Sequence, residues 1–296
     1  MNPAAVKPCW SKAAGGYGSF ERFTGGFADD AIAKLLADPA VRAALPRDRA
    51  VSVLDIAAGT GAATFGFAEA VQRDAELTRA GVTLDMLSTD VSDGMLEKLQ
   101  QHVRMAHAVA SGAVGIQTRV ADMTDLSAAV PDGSVDVALC VFGVMFPPEP
   151  VKALAEIKRV LRPGTGVAVV VTWHYNDIMA MMSELTAQVG KIASEDDFVI
   201  PFMKFGDEGY MRRLVRDAGI RADAVSYDFL QRKGGLPDRV VGVDAMVAAD
   251  THPFATKYAP YGAGVVKAFF EAKSAALTGG QGVPLGGTAL ALTIKA

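Results

Sequence analysis

Between residues 51 and 175, five apolar runs alternate with amphipathic stretches, and no other feature of the chain restricts its fold as tightly. The runs are VSVLDI (51–56), VTLDMLSTD (82–90), VGIQTRVAD (114–122), SVDVALCVF (134–142) and TGVAVVVTW (165–173). Their nearly continuous Val/Ile/Leu character suits strands of a parallel sheet covered on both faces. In one intervening stretch Val151, Leu154, Ile157 and Leu161 recur at helical spacing, with Lys152, Glu156, Lys158 and Arg159 on the other side. Arg162-Pro163-Gly164 then stops that helix. Strands alternating with helices predict an α/β fold, a Rossmann-like doubly wound sheet. IRADAVSYDFL (220–230) reads as a further strand, and VPLGGTALALTIKA (283–296) alternates as an antiparallel C-terminal edge strand does, for a seven-stranded sheet.

The simplest division is a single domain over 1–296. Residues 1–48 form an N-terminal lid segment and 49–175 the ligand-binding core, with helical cover insertions at 176–206 and 231–260. The chain has 29 basic against 33 acidic residues, a net charge of -4. That balance offers no basic footprint for nucleic acid or an anionic membrane. Cys9 and Cys140 lie far apart and read as reduced thiols, not as a disulfide framework. No signal-peptide run opens the chain, and its longest apolar run, GVAVVVTW, is too short to span a bilayer. Four histidines and two cysteines show no metal-ligand spacing. These features predict a soluble, cytoplasmic protein with a small-molecule partner and no metal.

The first run leads straight into a glycine turn, VLDIAAGTGAAT (53–64). Such a turn lets a ligand approach the backbone and presents free N–H groups at a helix N-terminus. No Lys follows Gly61, which excludes a P-loop, and Thr64 stands where a dinucleotide fingerprint wants its third glycine. Asp55, just before the turn, would repel a diphosphate but suits a cationic ligand end, such as that of S-adenosylmethionine. The second run ends on Asp90, placed to accept both ribose hydroxyls, and the third on Asp122, placed to accept from an adenine amino group, with Met123 lining the ring. A surface Asp capping a helix is the commoner case for any one of them. Three carboxylates at three successive strand ends are much harder to assign to chance.

These motifs resemble those of class I S-adenosylmethionine-dependent methyltransferases. VLDIAAGTG is similar to their first motif, with Asp55 as its acidic residue. STDVSDGML is similar to the second, in which Asp90 would bind ribose, with Val91 beside it and Met95 flanking the adenine. VADM resembles the adenine-contacting motif, DGSVDVALCVFGVMF the fourth strand, and ALAEIKRVLRPGTGVAVVV the helix, turn and fifth strand. The resemblance implies S-adenosyl-L-methionine as cofactor. It also implies that Thr60 and the backbone around Gly59 and Gly61 hold the methionine end, and that the Val141 backbone contacts the cofactor amino group. Ala57 replaces the first glycine of the family's motif. LDIAAGTG and FGVMF are distantly similar to quinone-biosynthesis C-methyltransferases, but the Arg-Asn that follows Phe-Gly in those enzymes is here Met145-Phe146.

Methyl transfer from a sulfonium needs alignment and exclusion of water, and a base only where the acceptor must lose a proton. The acceptor is expected beyond the fourth and fifth strand ends, near Phe142, Met145, Phe146, Trp173 and His174. Trp10, Tyr17, Phe20 and Phe23 are expected to cover it. His174 is the first candidate for a general base because histidine titrates near neutrality, ahead of Tyr175 and His252. The expected function is methyl transfer to a small, fairly apolar molecule at O, N or C. Two alternatives stay open: an NAD(P)-dependent oxidoreductase on a Rossmann sheet, and a protein of this fold that binds the cofactor without methylating.

Overall fold

The five apolar runs become five parallel strands, flanked by helices on both faces. The computed structural model describes residues 10–11, 14, 18–189, 203–232, 240–244 and 263–296. In chain order the elements begin with helices α1 (Gly18–Ala37) and α2 (Pro39–Ala44), then β1 (Val51–Ile56), α3 (Ala62–Arg73), α4 (Ala75–Arg79) and β2 (Leu84–Asp90). They continue with α5 (Asp93–Gln101), α6 (Val103–Val109), β3 (Val114–Val120), β4 (Val137–Val141), α7 (Pro150–Val160), β5 (Val167–Asn176) and α8 (Asp177–Val189). After a 3₁₀ turn at Met203–Gly206 come α9 (Glu208–Asp217), β6 (Val225–Arg232), β7 (Val240–Val241), α10 (Ala263–Thr278), β8 (Val283–Pro284) and β9 (Gly287–Lys295).

The main sheet has seven strands in the order β3-β2-β1-β4-β5-β9-β6, with β7 and β8 forming a separate short pair. Strands β1 to β5 pair in parallel, and β9 runs antiparallel to both neighbours. The antiparallel run expected at the C-terminal side of the sheet is β9, and β6 lies outside it. Leu290, Leu292 and Ile294 on one face and Ala289 and Ala291 on the other are buried, as a strand with neighbours on both sides requires. Strand order reverses between β1 and β4, and a ligand of an open α/β sheet binds in the crevice at such a reversal, above the carboxyl ends of the strands. Helix α7 ends at Val160, one residue short of the apolar spacing, because Leu161 bridges to Val135.

The segment read as a lid contains α1, a helix of 20 residues. Phe23, Phe27, Ala31, Ile32 and Leu35 of that helix are buried against α3 and β5. Gly25 and Gly26 disguise it in the sequence, since each glycine costs a helix about 1 kcal/mol relative to alanine. Packing explains Gly26: a Cβ there would run into the Arg232 guanidinium. Arg232 in turn makes a bidentate ion pair with Asp30 at 2.6 Å, and Lys34 reaches Asp228 at 2.7 Å, so α1 is bound to the outermost strand β6.

Of the expected insertions, residues 177–189 form α8, while 190–202, 233–239 and 245–262 lie outside the described residues. So do Cys9, Tyr17 and His252, and the side chain of Phe20. Among the described residues, no helix is long and apolar enough to cross a membrane.

Candidate active site

The crevice at the strand-order reversal is framed by two backbone positions that most residues avoid. Ala57 follows β1 with φ 57°, and Phe142 follows β4 with φ 58°, both left-handed. A Cβ placed on neighbouring Gly143 would fall 2.6 Å from the Ala57 Cβ, so the two strand ends meet closely there. A left-handed alanine costs about 1 kcal/mol. Ala57→Gly is therefore expected to stabilise the fold by about 1 kcal/mol in denaturant titrations; an unchanged midpoint would show that the turn carries no such strain.

The turn continues through Gly59 (φ 55°) and Gly61 (φ 98°) into α3. A Cβ at Gly59 would meet no described atom within 4 Å, so among the described residues the outer side of the turn is an open cradle. Gly59 N–H donates to Asp90 Oδ2 at 2.9 Å, and Ser92 N–H donates to Asp90 Oδ1 at 2.8 Å. Asp90 thus ties the turn after β1 to the turn after β2. Burial pushes its carboxyl above the usual range, and the amides of Ser92, Gly59 and Val91 oppose that shift. Each carboxylate oxygen has a second lone pair, enough for the two hydroxyls of a ribose.

Asp55 is placed differently from the sequence expectation. It is 1% exposed and lies beneath the turn, where Thr64 Oγ1 donates to Oδ2 at 2.6 Å and shares a 2.8 Å bond with Ser88 Oγ. In the structure it holds the strand to the first turn of α3 and does not project from the edge. Burial pushes its carboxyl up to about 7, and Asp90 adds to the rise. A folded pKa above the unfolded one means that the native state binds the proton more tightly from about pH 4 to pH 7. Through that window, Asp55 makes stability fall as pH rises. Asp55→Asn is expected to flatten this part of the stability–pH curve, measured by thermal melts between pH 5 and 8; a slope equal to that of the unaltered protein would show that the group titrates elsewhere.

Met95 is buried with Ala14 and Trp10, so the N-terminal segment covers the start of α5. Ser11 Oγ lies 3.0 Å from Ser92 Oγ on the same side. Val91 is half-buried beside them. Asp122 is exposed past the end of β3, with Oδ1 accepting from Thr124 N–H at 2.8 Å and from Thr124 Oγ1 at 2.7 Å. Met123 packs half-buried against the core. Val141, half-buried, ends β4.

Just past the end of β4 and within the last residues of β5, the structure assembles an aromatic stack. Phe142 lies 3.9 Å from Trp173 with planes 12° apart, Trp173 stacks on Phe23 at 5.3 Å, and Phe27 meets both Trp173 and Phe142 edge-on. Trp173 N–H contacts Met145 Sδ at 3.3 Å, and Trp10 meets Phe146 edge-on at 4.9 Å. Trp10 therefore spans from Met95 to Phe146, across the crevice.

His174 does not join this cluster. It is exposed on the opposite face, where its Nδ1 donates to Gly206 O at 2.8 Å and its ring meets Phe229. Alternation along β5 puts Trp173 towards α1 and His174 towards the 3₁₀ turn. Exposed Tyr175 follows the register irregularity of that strand.

Sequence reasoning missed Glu21 and His102. Thr60 Oγ1 donates to Glu21 Oε2 at 2.8 Å, and His102 Nε2 lies 3.3 Å from Glu21 Oε1. A lone Glu in a stretch read for its aromatic residues gives no signal at sequence level. Among the described residues no group of side chains is arranged to hold a metal ion.

Residues 54–170 match the model of a family described as a methyltransferase domain. No curated protein sequence matches the chain. Several solved structures are similar in fold. A Bacillus halodurans protein assigned as a methyltransferase is 13% identical, covering 89% of this chain and 97% of that one, at a TM-score of 0.49. The YcgJ protein of Bacillus subtilis is 17% identical over 86% of this chain and 95% of that one, at 0.48. An arsenic(III) S-adenosylmethionine methyltransferase of Chlamydomonas reinhardtii is 16% identical over 90% and 73%, at 0.44. Likenesses of this size say nothing about substrate. The sheet order and the family match together make the core a class I methyltransferase domain. Residues 54–170 therefore form a methyltransferase domain, and the open cradle at Gly59 beside Asp90 fits S-adenosylmethionine as its methyl donor.

Proposed function

We propose that the enzyme methylates a small, fairly apolar molecule bound beyond the carboxyl ends of β4 and β5, under a cover made by the N-terminal segment and α8 within a single domain. The observation that carries this reading is the aromatic wall of Phe142, Trp173 and Phe23, with Trp10 and Phe146 beside it. Such a packed stack excludes water and gives a rigid apolar backing to a site for flat or aliphatic groups.

When bound, the donor would supply an electrophilic methyl on its sulfonium: the bond from an acceptor lone pair or carbanion to that carbon would form in line as the C–S bond breaks and S-adenosylhomocysteine leaves. This chain's residues would then act by placement. Asp90 and Ser92 organise the ribose side, Met95 and Met123 flank the adenine with Asp122 at its edge, and Thr60, Gly59, Gly61 and the Val141 backbone hold the methionine end. Phe142, Met145, Phe146 and Trp173 orient the acceptor and keep the sulfonium dry. His174 lies away from the aromatic wall, so this reading uses acceptors that need no histidine base. An oxidoreductase reading is disfavoured by Thr64: the position where a dinucleotide turn needs its third glycine is a buried side chain bonded to Asp55.

Transfer of labelled methyl from S-adenosylmethionine across a panel of apolar phenols, amines and activated carbon acids tests the reading. Label is expected in at least one apolar member. Sustained silence despite tight donor binding would favour a protein that binds the cofactor without methylating.

A further inference from the structure

The glycine turn carries a carboxylate that the motif itself does not contain. Asp55, the acidic residue of the turn, is buried beneath it and held by the Thr64 hydroxyl, which also bonds Ser88, and burial pushes its carboxyl up to about 7. Asp90 accepts from two backbone amides. Both are therefore engaged in holding the turns together. Glu21 comes to the turn from outside it. It is delivered by the first turn of α1, is only 12% exposed, and its Oε2 takes the Thr60 hydroxyl at 2.8 Å. His102 accepts from Arg104 N–H through Nδ1, which leaves the hydrogen on Nε2, 3.3 Å from Glu21 Oε1. The carboxylate is thereby held at Thr60, where the methionine end of the donor is read to lie, and it keeps lone pairs unused by these two contacts.

We propose that Glu21 is a cofactor-binding residue whose carboxylate receives the α-ammonium of S-adenosylmethionine at the Thr60 turn. A charge-assisted bond in a sheltered site is shorter and stronger than its neutral counterpart. The inference deepens the proposed function and rests on its placement of the methionine end at Gly59–Gly61. It also gives α1 a chemical part: the helix that buries Phe23 and Phe27 brings one of the donor's ligands with it.

Calorimetry on the full chain tests it with three ligands: S-adenosylhomocysteine, the same molecule lacking its α-amino group, and 5′-methylthioadenosine, which lacks the whole amino-acid end. Glu21→Gln keeps the size of the side chain and an acceptor for Thr60. It is expected to weaken S-adenosylhomocysteine about tenfold, equivalent to about 1.4 kcal/mol. The des-amino analogue and methylthioadenosine should bind equally well to both proteins. Unchanged S-adenosylhomocysteine affinity would overturn the proposal, and so would an equal loss for all three ligands, which would make Glu21 a support of the fold. Gly59→Val provides the separate check. If filling the cradle leaves S-adenosylhomocysteine binding intact, the placement of the methionine end fails, whatever Glu21 does. Glu21→Asp, which retains charge but shortens the reach, is expected to fall between Gln and the unaltered protein, and a melting curve for each variant confirms that it is folded.

Discussion

Truncating Trp173 to alanine is expected to destabilise the enzyme by about 3–5 kcal/mol, the range for removing a buried tryptophan or phenylalanine side chain. The indole is 7% exposed and touches Phe142, Phe23 and Phe27, so its loss leaves three rings facing a void. A second cost follows from Phe142. A bulky residue at φ 58° persists only where its surroundings over-determine it, and the Trp173 stack is the main surface that does so. Relaxation of Phe142 would pull the end of β4 away from the turn at Ala57, and donor affinity should fall along with stability. Urea titration reads the first effect and calorimetry the second. A loss under 1 kcal/mol would mean that the cluster can collapse into the space.

Replacing Asp90 by alanine is expected to weaken donor binding by about 1–3 kcal/mol, the scale for leaving buried polar partners unmade. The structure adds a reason beyond the lost ribose contact. The amides of Gly59 and Ser92 both depend on this carboxylate, and neither turn would keep its shape without it. Asp90→Asn separates the two roles, because one amide oxygen can still accept from one turn while half of the diol recognition is gone. S-adenosylhomocysteine affinity measured on both variants decides, and unchanged affinity in both would remove Asp90 from the ribose site.

Much of this architecture is legible in the chain because the parallel core writes itself as continuous apolar runs. Each of the five runs became a strand, and the carboxylates at Asp90 and Asp122 fall at or just past the strand ends where the pattern put them. The rest was hidden for identifiable reasons. Paired glycines at 25 and 26 lower the helical signal of α1, although the second serves its close approach to Arg232. Asp55 could be placed at a strand end but not assigned a direction: whether it points to the ligand or beneath the turn depends on Thr64 and Ser88, the latter 33 residues away on another strand. His174 was misplaced by half a strand period, since proximity to a strand end does not specify a face. Glu21 needed the tertiary fold, because nothing local connects it to Thr60.

The placement of β9 bears on how the chain is made. Strand β5 ends at Asn176, yet the partner that covers its open edge begins only at Gly287, and β6 cannot take that place because it pairs with β9 instead. During synthesis at about 5–20 residues per second, the Val167–Val171 segment of the nascent chain would wait roughly 5–20 s for its neighbour. An unpaired valine-rich edge is a template for association with other chains. Ribosome-bound intermediates of this enzyme should therefore depend on chaperones at this edge, and the dependence should end once β9 has emerged.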